Sequence, residues 1–544
     1  MNNIIRAFKF VFQFSILGYQ RNRSYPLTIK LDNIQKYWKF WLKNTKLKSN
    51  HILVDALIFH PKYLANNFTI ANVLRKKFNA EVTALIKYSS EESTKFVSKH
   101  FFIDKFACIY IPINLAVILN AIIHTIISMQ QIMFSKYNGI SVFVDGCDIG
   151  EYIYDEYLRV TSLPTKRKIT IDYIAFIYRS LYIYFRYKQI LLNYNISHVA
   201  FGHNVYATWG LLLPAAKATN SSIKFYNWYD ASREGKITVT KQQASCKIRK
   251  AGYMKQEYLS LLMSKHGEEK ILRTFNFLMQ DKLSGKLKDR DSSNAYECLD
   301  IDTIDKFIER YSMVTKSKHI FIYSHAFVDA VKYPRWTIYA DYYTWLEETL
   351  IQLAKKTHIT NIYVKPHPSE HLYPCKTTSK ILTEQINKEH NAAFVFLDKK
   401  VSNSVIFEIA DAIITCSGTV NIEASCFGIP CILAGEFGNE MLRYTYVCRD
   451  ERDYFETLDM CESLPKLTNQ NTFIAKLYFY WFAESMFVDS NLFGVGSIFP
   501  VDNGNEIIEL ISLNDMYKSI GVTAADSLLE AISNISLGMI EDFV

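Results

Sequence analysis

The sequence predicts an α/β protein with two doubly wound domains, because short apolar runs alternate with helical segments in two separate parts of the chain. The first series opens with a strand at 51–58, a helix whose apolar period covers 70–78, and a second strand at 81–86. The second series begins with a strand at 319–323, and the intervening residues 231–310 are more polar and irregular. Two parallel sheets with helices on both faces account for this order.

The remaining elements follow from the same alternation. In the first series we predict strands at 141–144, 198–201 and 223–227. In the second we predict helices at 342–356, 402–409 and 420–427, and strands at 361–364, 393–397, 412–415 and 430–434. A length of 544 residues also favours two large domains over one. The predicted division is an arm at 1–50, a first domain at 51–240, a connection at 241–315, a second domain at 316–490 and a helical tail at 491–544.

Positive charge is concentrated at the start of the chain. Residues 1–50 hold ten Lys or Arg against the single acid Asp32, whereas the formal charge of the whole chain is only +8. Aromatic residues interleave with these cations, a pattern that suits an anionic membrane surface. Without a zinc, helix-turn-helix or RNP-like motif, nucleic acid is the weaker expectation, and a solvated helix without a partner is the plain alternative.

The cysteines and the apolar segments bear on cellular location. Ten cysteines without CxxC pairs predict reduced thiols in a cytoplasmic protein, and no signal peptide is expected at the N-terminus. Residues 106–135 carry no formal charge and are long enough to cross a bilayer, although polar residues and Pro112 interrupt them. A helix that is buried in the domain or rests on the membrane is the favoured interpretation. Together these features predict a peripheral protein on the inner face of a bacterial cytoplasmic membrane.

Two turns of the second domain carry the residues best suited to binding an anion. The strand at 361–364 ends in Lys365-Pro-His367-Pro, which places two basic side chains where open α/β sheets bind ligands. The strand at 412–415 runs through Ser417-Gly418-Thr419 into a helix, where hydroxyls and backbone N–H groups can bind phosphate. A prolyl turn with a chance histidine, and Ser or Thr acting as simple helix caps, are the structural alternatives.

Several further residues are candidates for sugar recognition or catalysis. Glu423 lies one helical turn past Thr419 and could accept hydrogen bonds from ribose, the alternative being a surface carboxylate. A base for the acceptor hydroxyl is sought first at Asp329, just after the strand at 319–323. The other candidates are His203 and Glu151, the latter within an acidic cluster at 148–155. A cap, a core histidine and a solvated helix face are their respective structural alternatives.

The order of KPHP at 365–368 and SGTVNIEASCFGIPCILAGE at 417–436 resembles the capsule polysaccharide biosynthesis family, which includes bacterial Kdo transferases. Residues 324–330, with His325, and residues 148–159 add to the likeness. The resemblance implies a GT-B fold, with two Rossmann-type domains facing a central cleft, the first on the acceptor side. It also implies that no metal or resident cofactor is needed. His325, His367, Ser417 and Thr419 would hold the donor.

The implied activity is transfer of a sugar, such as Kdo or another ulosonic acid, from a CMP-activated donor to a glycan or glycolipid acceptor. Here Ser417 and Thr419 are separated by a glycine, whereas many relatives have adjacent hydroxyl residues. A second hypothesis is polyol-phosphate transfer from a CDP-linked donor, as in teichoic-acid polymerases. A third is a catalytically silent subunit that binds nucleotide or glycan within a membrane assembly.

Overall fold

The computed structural model divides the chain into two compact units. The first comprises residues 1–157, 168–249 and 487–544, and the second comprises residues 158–167 and 250–486. The structure describes residues 50–58, 61–87, 91–110, 113–134, 140–166, 168–230, 236–246, 256–286, 300–311, 318–330, 336–358, 360–485 and 488–489. The predicted basic arm, apart from Asn50, and the predicted C-terminal tail lie outside these residues.

The first unit is built on a seven-stranded, mostly parallel sheet. Its strands are β1 (His51–Asp55), β2 (Glu81–Ile86), β3 (Lys105–Cys108), β6 (His198–Phe201), β7 (Lys224–Asp230) and β8 (Lys236–Gln243), with a two-residue strand Val488–Asp489 at the edge. Beginning at that edge strand, the order is β8, β7, β6, β1, β2, β3. The strands from β7 to β3 are parallel, and β8 is antiparallel to β7. The α/β class predicted from the sequence is confirmed.

A short hairpin lies outside this sheet. It consists of β4 (Phe143–Val144) and β5 (Cys147–Asp148), which pair only with each other. The prediction of a sheet strand at 141–144 is therefore wrong, because this segment turns back on itself through Asp145 and Gly146, both with positive φ. A disulfide joins Cys147 to Cys246. The prediction that all cysteines are reduced thiols is wrong for this pair.

Helices cover the first sheet. They are α1 (Pro61–Phe78), α2 (Glu91–Phe101), α3 (Leu115–Phe134), α4 (Gly150–Thr161), α5 (Ile171–Asn193), α6 (Tyr206–Gly210) and α7 (Leu212–Thr219). The uncharged segment 106–135 therefore contains the end of strand β3 and helix α3.

A buried ion pair joins α5 to α4, where Arg179 binds Glu156 at 2.5 Å. The hydroxyl of Thr208 accepts a bond from Arg179 and donates one to Glu156, so each member of this buried charge pair has a further hydrogen-bond partner.

The second unit holds a six-stranded sheet in which all strands are parallel. Its strands are β9 (His319–Tyr323), β10 (Asn361–Lys365), β11 (Val395–Phe396), β12 (Ala412–Thr415), β13 (Cys431–Leu433) and β14 (Tyr446–Val447). Their order is β11, β10, β9, β12, β13, β14, which is the 3-2-1-4-5-6 order of a Rossmann-like fold. The core strands β9, β10, β12 and β13 are almost entirely buried, which explains their continuous apolar runs.

The helices of this unit are α8 (Gln256–His266), α9 (Glu268–Leu283), α10 (Ile304–Tyr311), α11 (Tyr342–Leu353), α12 (Ser379–His390), α13 (Asn403–Ile409), α14 (Val420–Ser425), α15 (Glu451–Asp459) and α16 (Asn469–Tyr480). Several begin where a Ser, Thr or Asp side chain accepts a backbone N–H of the first turn: Asp341, Thr378, Ser402, Asp450 and Thr468. Helices α8 to α10 fall within the predicted connection, yet their apolar side chains belong to the core of the second unit.

Helix α11 is fastened to helix α15 through buried polar groups. The indole N–H of Trp345 donates to the hydroxyl of Tyr454 at 2.9 Å, and that hydroxyl also meets the Thr349 hydroxyl at 2.8 Å. All three side chains are fully buried. An unpaired indole N–H at this place would have no water to replace its partner.

We expect Tyr454→Phe to lower the free energy of unfolding by about 1–3 kcal/mol, because it leaves the buried Trp345 N–H without an acceptor. Urea denaturation followed by circular dichroism measures the change. The matched control is Tyr446→Phe, since the half-buried Tyr446 hydroxyl makes no hydrogen bond with the described residues. Equal midpoints for the two variants would contradict the expectation.

Candidate functional site

The candidate site lies at the carboxyl edge of the second sheet, where the strand order reverses. Strands β10 and β12 lie on opposite sides of β9, so the connections leaving β9 and β12 run in opposite directions. In open α/β sheets this switch point is where ligands bind. The two turns singled out from the sequence follow β10 and β12, so they lie on either side of the turn that follows β9.

His325, in the turn after β9, occupies the middle of this arrangement. Its Nε2 accepts the backbone N–H of Ser417 at 3.4 Å and lies 3.1 Å from the Thr415 hydroxyl. Because a backbone N–H can only donate, the neutral ring carries its proton on Nδ1. Tyr342 stacks on the ring with centroids 4.2 Å apart. Burial, followed by the nearby His367, lowers the pKa of His325 to about 3, so the ring is neutral at physiological pH.

His367 lies beside His325, with ring centroids 6.3 Å apart. Its Nδ1 accepts the backbone N–H of Ser369 at 3.2 Å, which assigns the proton of the neutral ring to Nε2. The backbone N–H of His367 donates to the hydroxyl of Ser324 at 3.1 Å. The turn is thereby tied to the end of β9, and the half-buried His367 ring is held with Nε2 as a donor.

The Ser417-Gly418-Thr419 turn approaches the same point from β12. Ser417 and Gly418 are half-buried, Thr419 is exposed, and the Thr419 side chain makes no capping hydrogen bond to helix α14. The helix is only six residues long, so the turn's own N–H and hydroxyl groups are more important for anion binding than the helix dipole. A Cβ on Gly418 would lie 2.8 Å from the Thr415 hydroxyl. Glycine is therefore required for the close approach of this turn to Thr415 and His325.

Lys365 differs from the expectation that it presents a charge at the rim. Its side chain is buried, and the ammonium donates to the carbonyl of Val401 and to Oδ1 of Asn403, both at 2.6 Å. The hydroxyl of Tyr323 donates to the same Asn403 oxygen at 3.0 Å. Lys365 is the last residue of β10 and points into the layer below the edge. The rim position assumed from the sequence is wrong for Lys365.

Glu423 also lies below the edge. Its carboxylate is buried and pairs with Lys282 of helix α9 at 2.7 Å. Neither the surface position nor the ribose-facing position predicted from the sequence is observed, because the carboxylate is buried and turned toward Lys282 instead. The pairing compensates a charge that would be costly to bury alone.

The three candidate bases lie in different places. Asp329 is half-buried in an irregular turn after β9, in the same unit as His325 and His367. Glu151 is in the first turn of α4 in the first unit. His203 follows β6 of the first unit, with its ring 4.7 Å from that of Trp209. Burial and the neighbouring Lys87 lower the pKa of His203 to about 4, so His203 is neutral at physiological pH.

Three residues that shape the edge are not recognisable from the sequence. Ser324 joins the turns after β9 and β10, Thr415 lies against His325, and Tyr342 stacks on the His325 ring. Their sequence context is that of ordinary strand ends and a helix start, so only the assembled sheet identifies them. Within the described residues, no group of three or more His, Cys, Asp or Glu side chains is placed to hold a metal ion.

The buried ammonium of Lys365 predicts a specific pH dependence. Burial lowers its pKa to about 7, and the Glu423 carboxylate acts in the opposite direction. The unfolded chain, with an ordinary lysine pKa of about 10.4, binds one more proton than the folded chain between these values. The free energy of unfolding should therefore rise with pH from about 7 upwards. Only below the folded pKa does the folded chain carry the full cost of burying a charged ammonium.

We expect the urea midpoint of the wild-type protein, relative to that of Lys365→Met, to rise between pH 7 and pH 9. Taking the difference removes the contribution of the buried cysteines, which titrate in both proteins. Parallel pH profiles for the two proteins would show that Lys365 does not titrate in this range.

No family model matches the chain, and no curated protein matches its sequence. Among solved structures, it is similar to the UDP-GlcNAc 2-epimerase from Neisseria meningitidis bound to UDP-GlcNAc, with 12% identity over 79% of this chain and 95% of that one, and a TM-score of 0.24. The beta Kdo 2,7 transferase KpsC of Thermosulfurimonas dismutans shows 14% identity over 54% and 79% of the two chains, with a TM-score of 0.27. A glycosyltransferase from Rickettsia africae shows 13% identity over 87% and 98%, with a TM-score of 0.27. With TM-scores below 0.5, these likenesses carry no inference about function.

Proposed function

We propose that this chain is a glycosyltransferase of the GT-B type that acts in bacterial capsule or lipopolysaccharide synthesis. It transfers a sugar, Kdo or another ulosonic acid, from a CMP-activated donor to a lipid-linked or oligosaccharide acceptor, and it needs no metal ion. The observation that carries the proposal is the convergence of His325, His367 and the Ser417-Gly418-Thr419 turn at one switch point. The resemblance of the KPHP and SGT motifs to Kdo transferases supports the choice of donor.

The chemistry follows from the donors that this edge presents. When the glycosidic bond to the nucleotide breaks, negative charge develops on the leaving phosphate. The Nε2–H of His367 is a fixed donor for that charge, since Nδ1 is already engaged by Ser369. The turn after β12 offers the hydroxyls of Ser417 and Thr419 on the other side. Donors held in place before the reaction need no reorganisation when the charge appears.

Activation of the acceptor hydroxyl is assigned first to Asp329. It lies in the same unit as the two histidines and in the turn that leaves β9, whereas Glu151 and His203 belong to the first unit. A carboxylate can accept the proton that the attacking hydroxyl loses. Glu151 and His203 are the second candidates for this role.

We also propose that the protein acts at the cytoplasmic face of the membrane, because the excess of Lys and Arg in residues 1–50 suits anionic lipid. No nucleic-acid partner is proposed. The competing hypotheses, polyol-phosphate transfer from a CDP-linked donor and a catalytically silent binding subunit, predict different ligands. Donor specificity therefore separates them.

Thermal shift and donor hydrolysis with CMP-Kdo, CMP-sialic acid, CDP-glycerol and UDP-GlcNAc test the proposal. We expect CMP and a CMP-sugar to raise the melting temperature, and the CMP-sugar to be hydrolysed slowly, while UDP-GlcNAc has no effect. Turnover of CDP-glycerol alone would favour the polyol-phosphate hypothesis. If UDP-GlcNAc alone stabilised the protein and was hydrolysed by it, the assignment of a CMP-linked donor would be contradicted. Binding of a donor without any turnover would favour the silent subunit.

We expect His367→Ala to lower the rate of transfer by about 10²- to 10³-fold, as for loss of one donor to a developing charge. The matched control is His371→Ala, an exposed histidine four residues further along the same loop, which should leave the rate unchanged. His367→Asn retains an oxygen for the Ser369 N–H, so it separates loss of the donor from disturbance of the loop. Near-normal transfer by His367→Ala would remove the proposed mechanism.

A further inference from the structure

Helix α3 of the first unit has its amphipathic pattern reversed. Large aliphatic side chains face outward, at 38–75% exposure: Leu115, Leu119, Ile122, Ile123, Ile126 and Ile127. The buried side carries four smaller or polar residues, Val117, Ala121, Thr125 and Ser128, together with Ile132. We call the outward set the aliphatic face. A helix in contact with water alone would show the opposite distribution.

The hydroxyls on the buried side form hydrogen bonds within the helix, and a ring contact joins this side to α5. The hydroxyl of Thr125 donates to the carbonyl of Ala121 at 2.6 Å, and that of Ser128 to the carbonyl of His124 at 2.7 Å. The ring of His124 packs against Phe185 of helix α5, with centroids 5.0 Å apart. The helix therefore rests on α5 through its small and polar side.

Contiguous apolar surface of this kind marks a site of membrane or protein contact. Within the described ranges, α3 is the single helix long and apolar enough to cross a bilayer, with a mean hydropathy of 1.6 over Leu115–Ile132. The opposite side of α3 argues against a span, since it packs on α5. Helix α5 itself carries Arg179, which binds Glu156 of α4, and Arg186, which binds the carbonyl of Cys108. Charged groups of this kind belong to a protein interior, so only one side of α3 is available to lipid.

We propose that α3 lies in the interface of an anionic lipid bilayer, with its axis along the membrane plane and the aliphatic face among the acyl chains. Three observations favour lipid over a protein partner. The 115–132 window contains no Asp, Glu, Lys or Arg that could fix a protein partner in register. Phe143, 51% exposed, lies beside the end of the helix, where its backbone N–H meets Gln131. Aromatic residues at such a boundary are typical of membrane interfaces.

Charge complementarity is the third observation. The first fifty residues, which precede strand β1 directly in the chain, carry ten Lys or Arg against one acid. A basic segment and an inserted apolar face are the two signals that together give stable membrane binding, whereas either alone is weak. The inference does not rest on glycosyl transfer, and its test measures binding without a donor.

Flotation of the full-length chain with vesicles of phosphatidylglycerol and phosphatidylethanolamine tests this proposal. The variant is L119Q/I123Q/I126Q, which changes side chains that are 59%, 52% and 54% exposed, so the fold is not disturbed. Burial of each side chain in lipid predicts a loss of roughly tenfold in the partition coefficient for each substitution. The matched control is L261Q/I381Q/M460Q in the second unit, where the exposures are 51%, 51% and 54%.

We expect the α3 variant to lose flotation, the control to float like the wild type, and bound wild-type protein to exchange onto a second population of vesicles. Equal flotation of wild type and α3 variant would overturn the proposal and leave the basic segment as the membrane contact. Bound protein that never exchanges would indicate a spanning helix instead. A wild type that is dimeric without lipid and an α3 variant that is monomeric would assign the aliphatic face to a second copy of the chain.

Discussion

The hydrogen bond from the backbone N–H of Ser417 to Nε2 of His325 determines the form of the site. It joins the turns after β9 and β12, whose strands part at the switch point of the sheet. The bond requires a neutral ring, because a protonated histidine has no acceptor nitrogen. Burial of His325 supplies that condition, and Tyr342 fixes the plane of the ring. The position of the Ser417-Gly418-Thr419 turn therefore depends on a side chain that belongs to another strand.

Beneath this edge lies a layer of buried polar groups that touches no proposed ligand. Lys365 binds Asn403, the hydroxyl of Tyr323 binds the same amide oxygen, and Glu423 pairs with Lys282 of helix α9. Such groups are costly to bury, and their net contribution to stability is small unless every partner is satisfied. Their evident effect is geometric. They fix the ends of β9 and β10 against α13, and one ion pair links α14 to α9, so the turns above them start from fixed positions. A site that must present donors before charge develops needs this support.

The limits of sequence-based prediction can be seen in particular residues. Strands such as β9, β10 and β12 were predictable because central parallel strands are apolar throughout. The edge location of the two turns followed from the rule for parallel sheets. The directions of Lys365 and Glu423 did not, because the last residue of a strand can point to either face and a helix can rotate its carboxylate toward a distant partner. Lys282, for example, is 141 positions from Glu423 and gives no local signal.

The connection predicted at 241–315 shows the same limit at a larger scale. Its polar composition suggested a link between domains, yet Ile271, Phe275 and Leu278 of α9 enter the core of the second unit. In an amphipathic helix the apolar residues are three or four positions apart, so its sequence is polar on average and contains no continuous apolar run. The apolar sequence of helix α3 was also insufficient to predict which of its sides is buried. Its continuous apolar run left open whether the helix is buried in the domain or rests on the membrane, and the structure exposes its large aliphatic side chains.

The exposed aliphatic face of α3 affects how the proposed functions are divided between the two units. The proposed donor site is formed entirely by turns of the second sheet, and the aliphatic face belongs to the first unit. A lipid-linked acceptor remains anchored in the bilayer, whereas a nucleotide sugar diffuses from the cytoplasm. The resemblance to Kdo transferases implies that the first unit is the acceptor side. Under that assignment and the two proposals together, the unit that contacts the membrane also meets the anchored substrate, and the other unit binds the soluble substrate. Anchoring the acceptor-side unit reduces the search for a lipid-linked glycan to two dimensions, and it places no requirement on the donor site.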